Sequence, residues 1–224
     1  MTSKERFCKT LNHEIPDRLP TDLLWPRAET IRALKTHFRT DETEEVFRHL
    51  GVDFRWLAVP AQFPEFDGRV NGYLNDDAPG SGTPYIFHDQ QTFEDQWGIL
   101  RRVGDDGKYL EWKSGPLVGR DTLADWSLPE VHYPTAQELS RTLEPFVDSV
   151  TVTEIEFPFK LAWHIAGFEH LSRMMVTDPE FVEEFYERLY AFQTQKAVLA
   201  AQAGFDVVAI VGDVAGQLGM MFSP

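Results

Sequence analysis

The sequence predicts an α/β fold in which parallel strands are joined by crossover helices. Two observations lead there. Stretches rich in β-branched and aliphatic residues at 52–60, 149–157 and 207–211 alternate with amphipathic helical stretches at 27–38, 44–50, 161–176 and 177–204. Val207 to Val211 is moreover an uninterrupted apolar run that ends in Gly212-Asp213. Such a run reads as a strand buried on both faces, with its carboxyl end opening into a loop. In parallel α/β enzymes that end is where chemistry is placed.

The bulk properties narrow the function classes. The chain has 224 residues, 42% of them hydrophobic and 13% aromatic, so it can fill a sizeable core as one domain with an insertion. A net charge of -15 excludes the clustered basic surface of a nucleic-acid binder. One cysteine, Cys8, rules out an internal disulfide framework and suits a reducing cytoplasm. No apolar run approaches the ~18 residues of a membrane span. The amino-terminal stretch is charged and lacks the apolar centre of a signal peptide.

In chain order, Thr2 and Glu5 stand at capping-box spacing, which starts a helix near Ser3. Leu19 to Trp25 reads as a first strand, interrupted by Asp22. Ile31, Leu34 and Phe38 mark a helix over 27–38. Val46, Phe47 and Leu50 mark another, ended by Gly51. Val52 to Pro60 reads as the second strand. From Ala61 to about Pro134 the rhythm breaks into Pro, Gly, Asp and Asn. Within it, Gly104-Asp105-Asp106-Gly107 between two β-like runs predicts a hairpin, with Trp97 and Trp112 facing each other across it. This stretch is an insertion, and its loops are candidates for a lid over a site.

Ala136 to Val147 is amphipathic, weakened near its end by Pro145. Ser149 to Phe157 alternates as a third strand and stops at Pro158. Leu161 to Val176 reads as one helix. Thr177, Pro179 and Glu180 predict the start of a long helix, capped by Thr177 and closed by Gly204, before the fourth strand at 207–211. Four core strands and an insertion at 61–134 leave about 150 residues for the core, against roughly 200 or more in a closed eight-stranded (β/α) barrel. The count predicts half such a barrel or an open four-stranded sheet.

Candidate site residues follow from position. Asp213 lies at a strand's carboxyl end among small residues, where a carboxylate can orient a substrate, act as a base, or cap its own loop. Glu156 lies nearest the carboxyl end of the third strand and shares a side with Glu154. Asp22 interrupts an apolar strand. His164 sits one turn before Phe168, on or beside an apolar face. Gly212, Gly216 and Gly219 match neither a dinucleotide fingerprint nor a P-loop, so no nucleotide cofactor is expected.

Four segments together resemble the uroporphyrinogen decarboxylase superfamily: TSKERFCKTLNHEIPDRLPTDLLW, QWGILRR, EIEFPFKLAWHIAGFEHL and VGDVAGQLGMMFSP. They occur in the family's order along the whole chain. The resemblance implies a TIM barrel with its site at the carboxyl ends of the strands, of which this chain would be about the first half. It implies either porphyrinogen decarboxylation in haem biosynthesis or methyl transfer involving a corrinoid or coenzyme M.

Departures from the decarboxylase pattern favour methyl transfer. The family's arginine-rich segment is here Leu24-Trp25-Pro26-Arg27, with Arg27 its single guanidinium, although several carboxylates need several cations. The aspartate expected at the end of the second strand is replaced by Leu57-Ala58-Val59-Pro60. The family's substrate-contacting tyrosine falls near His164. Resemblance and strand position together make Trp25, Arg27, Asp22 and Glu156 the substrate-binding candidates, although Arg27 is out of register with either family arginine, and Asp213 and His164 the catalytic ones. It also implies zinc, whose family ligands would lie beyond Pro224, and a corrinoid protein as partner. An unfinished barrel further predicts an interaction module, or a homodimer, through its open strand edge.

Overall fold

The computed structural model describes residues 1–24, 26–64, 85–104 and 110–221. Helix α1 (Ser3–Leu11) begins at the predicted capping box. The Glu5 N–H donates to the Thr2 hydroxyl at 3.1 Å, and the Thr2 N–H donates to the Glu5 carboxylate at 2.8 Å. From this helix Arg6 reaches inward to Asp53, directly before strand β1 (Phe54–Trp56).

Leu19 to Trp25 forms no strand over its described residues, 19–24, which corrects the expectation of a first strand; Trp25 lies outside the described residues. Leu19 and Leu24 are largely exposed. Pro20 has no N–H to give to a ladder. The segment is instead pinned chiefly at Thr21: the Asp53 N–H donates to the Thr21 carbonyl at 2.8 Å, and the Thr21 N–H donates to the Asp53 carboxylate at 2.8 Å.

Helices α2 (Ala28–Phe38) and α3 (Thr43–Leu50) follow, and Gly51 ends α3 in the left-handed conformation, φ 65°. The insertion holds a four-stranded antiparallel sheet, β2 (Tyr85–Phe87), β3 (Thr92–Asp95), β4 (Leu100–Val103) and β5 (Leu110–Ser114), in sequential order. The predicted hairpin is β4–β5; its apex, 105–109, lies outside the described residues. Trp112 faces Arg101 across the hairpin, not Trp97. Trp97 occupies the β3–β4 turn and packs edge-on against Phe192, 4.7 Å between centroids.

Helix α4 (Ala136–Arg141) is shorter than predicted, since the chain tightens into a 3-10 turn at Glu144–Phe146 around Pro145. Strand β6 (Val150–Glu156) lies where predicted. The helix expected over 161–176 is two helices, α5 (Pro158–Ala166) and α6 (Phe168–Thr177), broken at Gly167, φ 82°. Pro158 both ends the strand and opens α5 at its first position. Helix α7 (Pro179–Ala203) is capped by Asp178, which accepts the Phe181 N–H at 3.1 Å, not by Thr177. Gly204 closes it as predicted.

Strand β7 (Val207–Val211) pairs in parallel with β6, and β6 with β1, giving a three-stranded sheet in the order β1-β6-β7. The architecture is mixed α/β with a parallel sheet, three core strands and no closed barrel among the described residues. β7 is not buried on both faces: Ile210 is 64% exposed. It is a sheet edge, with β6 on one side and α7 packed against it. A small ribbon, β8 (Ala215–Gly216) with β9 (Gly219–Met220), follows.

The larger core joins the insertion to α5, α6 and α7 through Trp97, Ile99, Leu117, Ile165, Leu171 and Phe185. Gly115 locks that junction. A Cβ there would collide with the carbonyl oxygens of His164 and Ile165. The glycine lets the Trp112 indole N–H donate to the His164 carbonyl at 2.8 Å and the Leu117 N–H to that of Ile165 at 3.0 Å. Among the described residues no helix is long and apolar enough to cross a membrane.

Candidate functional site

The parallel strands β6 and β7, the opening of α5 and the β3–β4 turn of the insertion converge on one cavity of about 200 Å³. It lies at the carboxyl ends of the strands. Its polar wall is Trp97, Arg101, Glu154, Glu156, Lys160 and His164, and Ile155, Leu161 and Val211 supply the apolar part. Each residue is there for a local reason. Alternation along β6 puts Glu154 and Glu156 on one face. Lys160 and His164 are one turn apart on α5, so both point from the same side. Gly212 lets β7 end close to the head of α5, because a Cβ would run into the Phe157 side chain.

Glu156 is reached by solvent from the open side, yet protein crowds it on every other side. Desolvation, with Asp95 and Glu154 adding like charge, outweighs Lys196 and Arg101 and raises its carboxyl to about 7. Desolvation also raises Glu154, against the opposing pull of Lys196 and Lys160. The Glu154 Oε2 is buried and finds no hydrogen-bond partner among the described residues, nor does the Trp97 indole nitrogen. A carboxyl so placed keeps its proton more readily than one in water. Lys196 comes from α7, and burial lowers its ammonium although both glutamates favour its charge.

His164 is held neutral. Burial first, then the positive charges of Arg101 and Lys160, lower its imidazole to about 3. Arg101 in turn is anchored. Its Nε donates to Asp95 at 3.2 Å, and its Nη2 lies 3.4 Å from His164 Nδ1. Asp95 is 4% exposed and also accepts the Trp97 and Ile99 N–H groups at 3.0 and 3.1 Å. Burial nonetheless raises Asp95, ahead of the opposing effect of Arg101.

Of the residues proposed from sequence, the fold brings His164 and Glu156 into this cavity. Asp213 stands outside its lining, 74% exposed, with its carboxylate 3.7 Å from Lys160. Asp22 is exposed and accepts the Trp56 indole N–H at 2.9 Å. Arg27 is the exposed residue preceding α2. Neither lines the cavity, because the segment that carries them is not a strand of the sheet. Trp25 lies outside the described residues.

Sequence reasoning missed Asp95, Arg101, Lys160 and Lys196. Lys196 had a signal: it interrupts the apolar face of α7 between Phe192 and Ala200. A lysine there is expected to meet a buried acid or reach solvent. Arg101 had none of that kind, since its relation to His164 spans 63 residues.

Among the described residues no group of three or more His, Cys, Asp or Glu side chains could hold a metal ion. The cavity presents a carboxyl raised to about 7, a neutral imidazole and two cations.

No protein-family model matches the sequence, and no curated protein matches it. Among solved structures the fold is similar to that of a methyltransferase from Methanosarcina mazei, with a TM-score of 0.58 at 15% identity. The likeness takes in 99% of this chain and 62% of that one, and at this identity it is a likeness of fold.

Proposed function

We propose that this chain is a uroporphyrinogen-decarboxylase-like unit of the TIM-barrel type, one domain with an insertion at 61–134, that moves a methyl group from a small donor to a thiol or corrinoid acceptor. One observation carries the chemistry: a carboxyl raised to about 7 at the carboxyl end of a parallel sheet, facing a cavity of small-molecule size. The fold's likeness to a methyltransferase supports the same reading.

With a thiol acceptor the step balances on this chain's own groups. The Glu156 carboxylate takes the S–H proton as the sulfur bonds to the donor's methyl carbon. The bond from that carbon to its leaving group breaks, and the electron pair departs with the leaving group. Arg101 and Lys160 provide positive charge at the wall, and Ile155, Leu161 and Val211 limit water.

The described residues offer no group of three His, Cys, Asp or Glu side chains that would suit zinc. A cavity of about 200 Å³ is too small for a corrinoid ring, so a corrinoid acceptor would be presented by a carrier protein. The same size, with Arg101 and Lys160 as the cations of the wall, favours methyl transfer over decarboxylation of a large polycarboxylate.

The test is to mix the protein with a panel of O-, N- and S-methyl donors, and with either a thiol or a reduced corrinoid. An S-methyl product by mass spectrometry, or a methyl-cobalamin spectrum, is expected with a subset of donors. Failure of every combination overturns the proposal.

A second reading has its own support. Ile210, Leu218 and Met220 are 64%, 105% and 58% exposed along β7 and the β8–β9 ribbon, an apolar face that suits a contact surface. Sedimentation should then show self-association that Ile210→Lys reduces; a monodisperse monomer at all concentrations would refute it.

A further inference from the structure

The insertion contributes Trp97 and Arg101 to the wall of the cavity. Arg101 stands on β4, with its Nε on Asp95 at 3.2 Å and its Nη2 at 3.4 Å from His164 Nδ1. A guanidinium has donors and no acceptor, and it stays protonated in proteins. The Nδ1 facing it must therefore present its lone pair. In a neutral ring the one proton then resides on Nε2.

We infer that Arg101, anchored by Asp95, is a positioning residue that fixes the tautomer of His164, so that Nε2–H is the donor this imidazole offers a bound substrate. The inference rests on the cavity being the active site only for its consequence in catalysis. The tautomer itself is a property of the free protein.

Three features hold the arrangement. Asp95 cannot swing away, because its Oδ1 accepts the Trp97 and Ile99 N–H groups and its Oδ2 is left for Arg101. The backbone of α5 is tied to the insertion at the same place, where the Trp112 indole donates to the His164 carbonyl. The Trp163 ring packs edge-on against the imidazole, 3.9 Å between centroids. The charges around the ring are Arg101 from β4, Lys160 from α5 itself, Glu154 and Glu156 from β6, and Asp95 behind Arg101. Burial opposes a second proton on the ring, and the two cations oppose it further. His164 is thus a fixed donor and not a base, which leaves proton removal to Glu156.

The test is nitrogen NMR of the full chain with labelled histidine, assigned by the signal lost in His164→Gln. Wild type should show one neutral ring with its proton on Nε2 from pH 5 to 8. Arg101→Gln should lose the single tautomer, and the His164 midpoint should rise from about 3 while staying below 6.5, because burial and Lys160 remain. Asp95→Asn should move the same signal less, since Arg101 stays nearby but loses its anchor. Far-UV circular dichroism checks that each variant is folded.

A wild-type ring protonated on Nδ1, or titrating near 6.5, overturns the inference whether or not the variants fold. So does an Arg101→Gln spectrum identical to wild type. Methyl-transfer assays are scored separately: absence of transfer sinks the functional reading and leaves the tautomer result standing.

Discussion

Replacing Glu156 by glutamine should lower methyl transfer to a thiol by a factor of about 10²–10⁴, the contribution of a well-placed general base. The substitution keeps the shape and removes the proton acceptor. In wild type the rate should climb as pH rises through about 7, as the carboxyl ionises. The variant should lack that limb. A stability measurement gives an independent reading of the same group. Its folded midpoint, about 7, is above the unfolded value of 4.5, so the folded chain keeps a proton that the unfolded chain has lost. That contribution is complete below pH 4.5 and is lost as pH rises to about 7, so Glu156→Gln should flatten stability against pH across this window. An unchanged pH profile would remove Glu156 from the mechanism.

The second large effect concerns the other end of the sheet. Asp53→Ala should destabilise the fold by about 3 kcal/mol, the lower end of the range for breaking a buried pair, because Arg6 keeps Asp17 as a partner and Arg18 is partly exposed. The Asp53 side chain is 1% exposed and pairs with Arg6 at 2.6 Å and Arg18 at 2.6 Å, with Arg6 itself 7% exposed. Ser3 and Thr21 complete the set, at 2.8 Å each. Removing the carboxylate leaves the Arg6 guanidinium with the partly exposed Asp17 and loosens α1 and the 19–24 segment together.

Burial raises the Asp53 carboxyl, but the bonds from Arg18, Thr21 and Ser3 outweigh it and hold the group below its ordinary range. Asp17, whose main cause is the bond from Arg6, is lowered from 3.8 to about 2. Both depressed carboxylates give stability that is present above about pH 4 and lost as pH falls below it, for Asp17 through about 2. Chemical denaturation of wild type and Asp53→Ala at pH 7 and pH 3 checks both statements. A loss at pH 7 below about 1 kcal/mol, the range of a surface pair, would show that the cluster is solvated.

Local signals were dependable where the chain's own neighbours decide the outcome. The Thr2–Glu5 box, the glycines at 51 and 204 and the span of β6 are all settled within a few residues, and each lies where the pattern put it, although β6 is buried on both faces over Val150–Thr153 instead of alternating. The long helix at 161–176 failed at Gly167, where an apolar period continues in register across a break in backbone direction. The 19–25 strand failed because an apolar run says nothing about whether a neighbouring strand will accept it. Prolines and the pull of Asp53 decided against it.

The same division runs through the site. Period and punctuation determined that this chain is α/β, and they put Glu156 at the carboxyl end of a strand and His164 on the helix that follows it. Local periodicity assigns residues to a face, and it goes no further. Only the tertiary structure brought Arg101 and Asp95 of the insertion to His164, and Lys196 of α7 to the two glutamates. It also left Asp213 at an exposed rim and Asp22 on Trp56. Those outcomes depend on contacts between distant segments. The desolvation and charge that tune each group come from such contacts, and no window of sequence contains them.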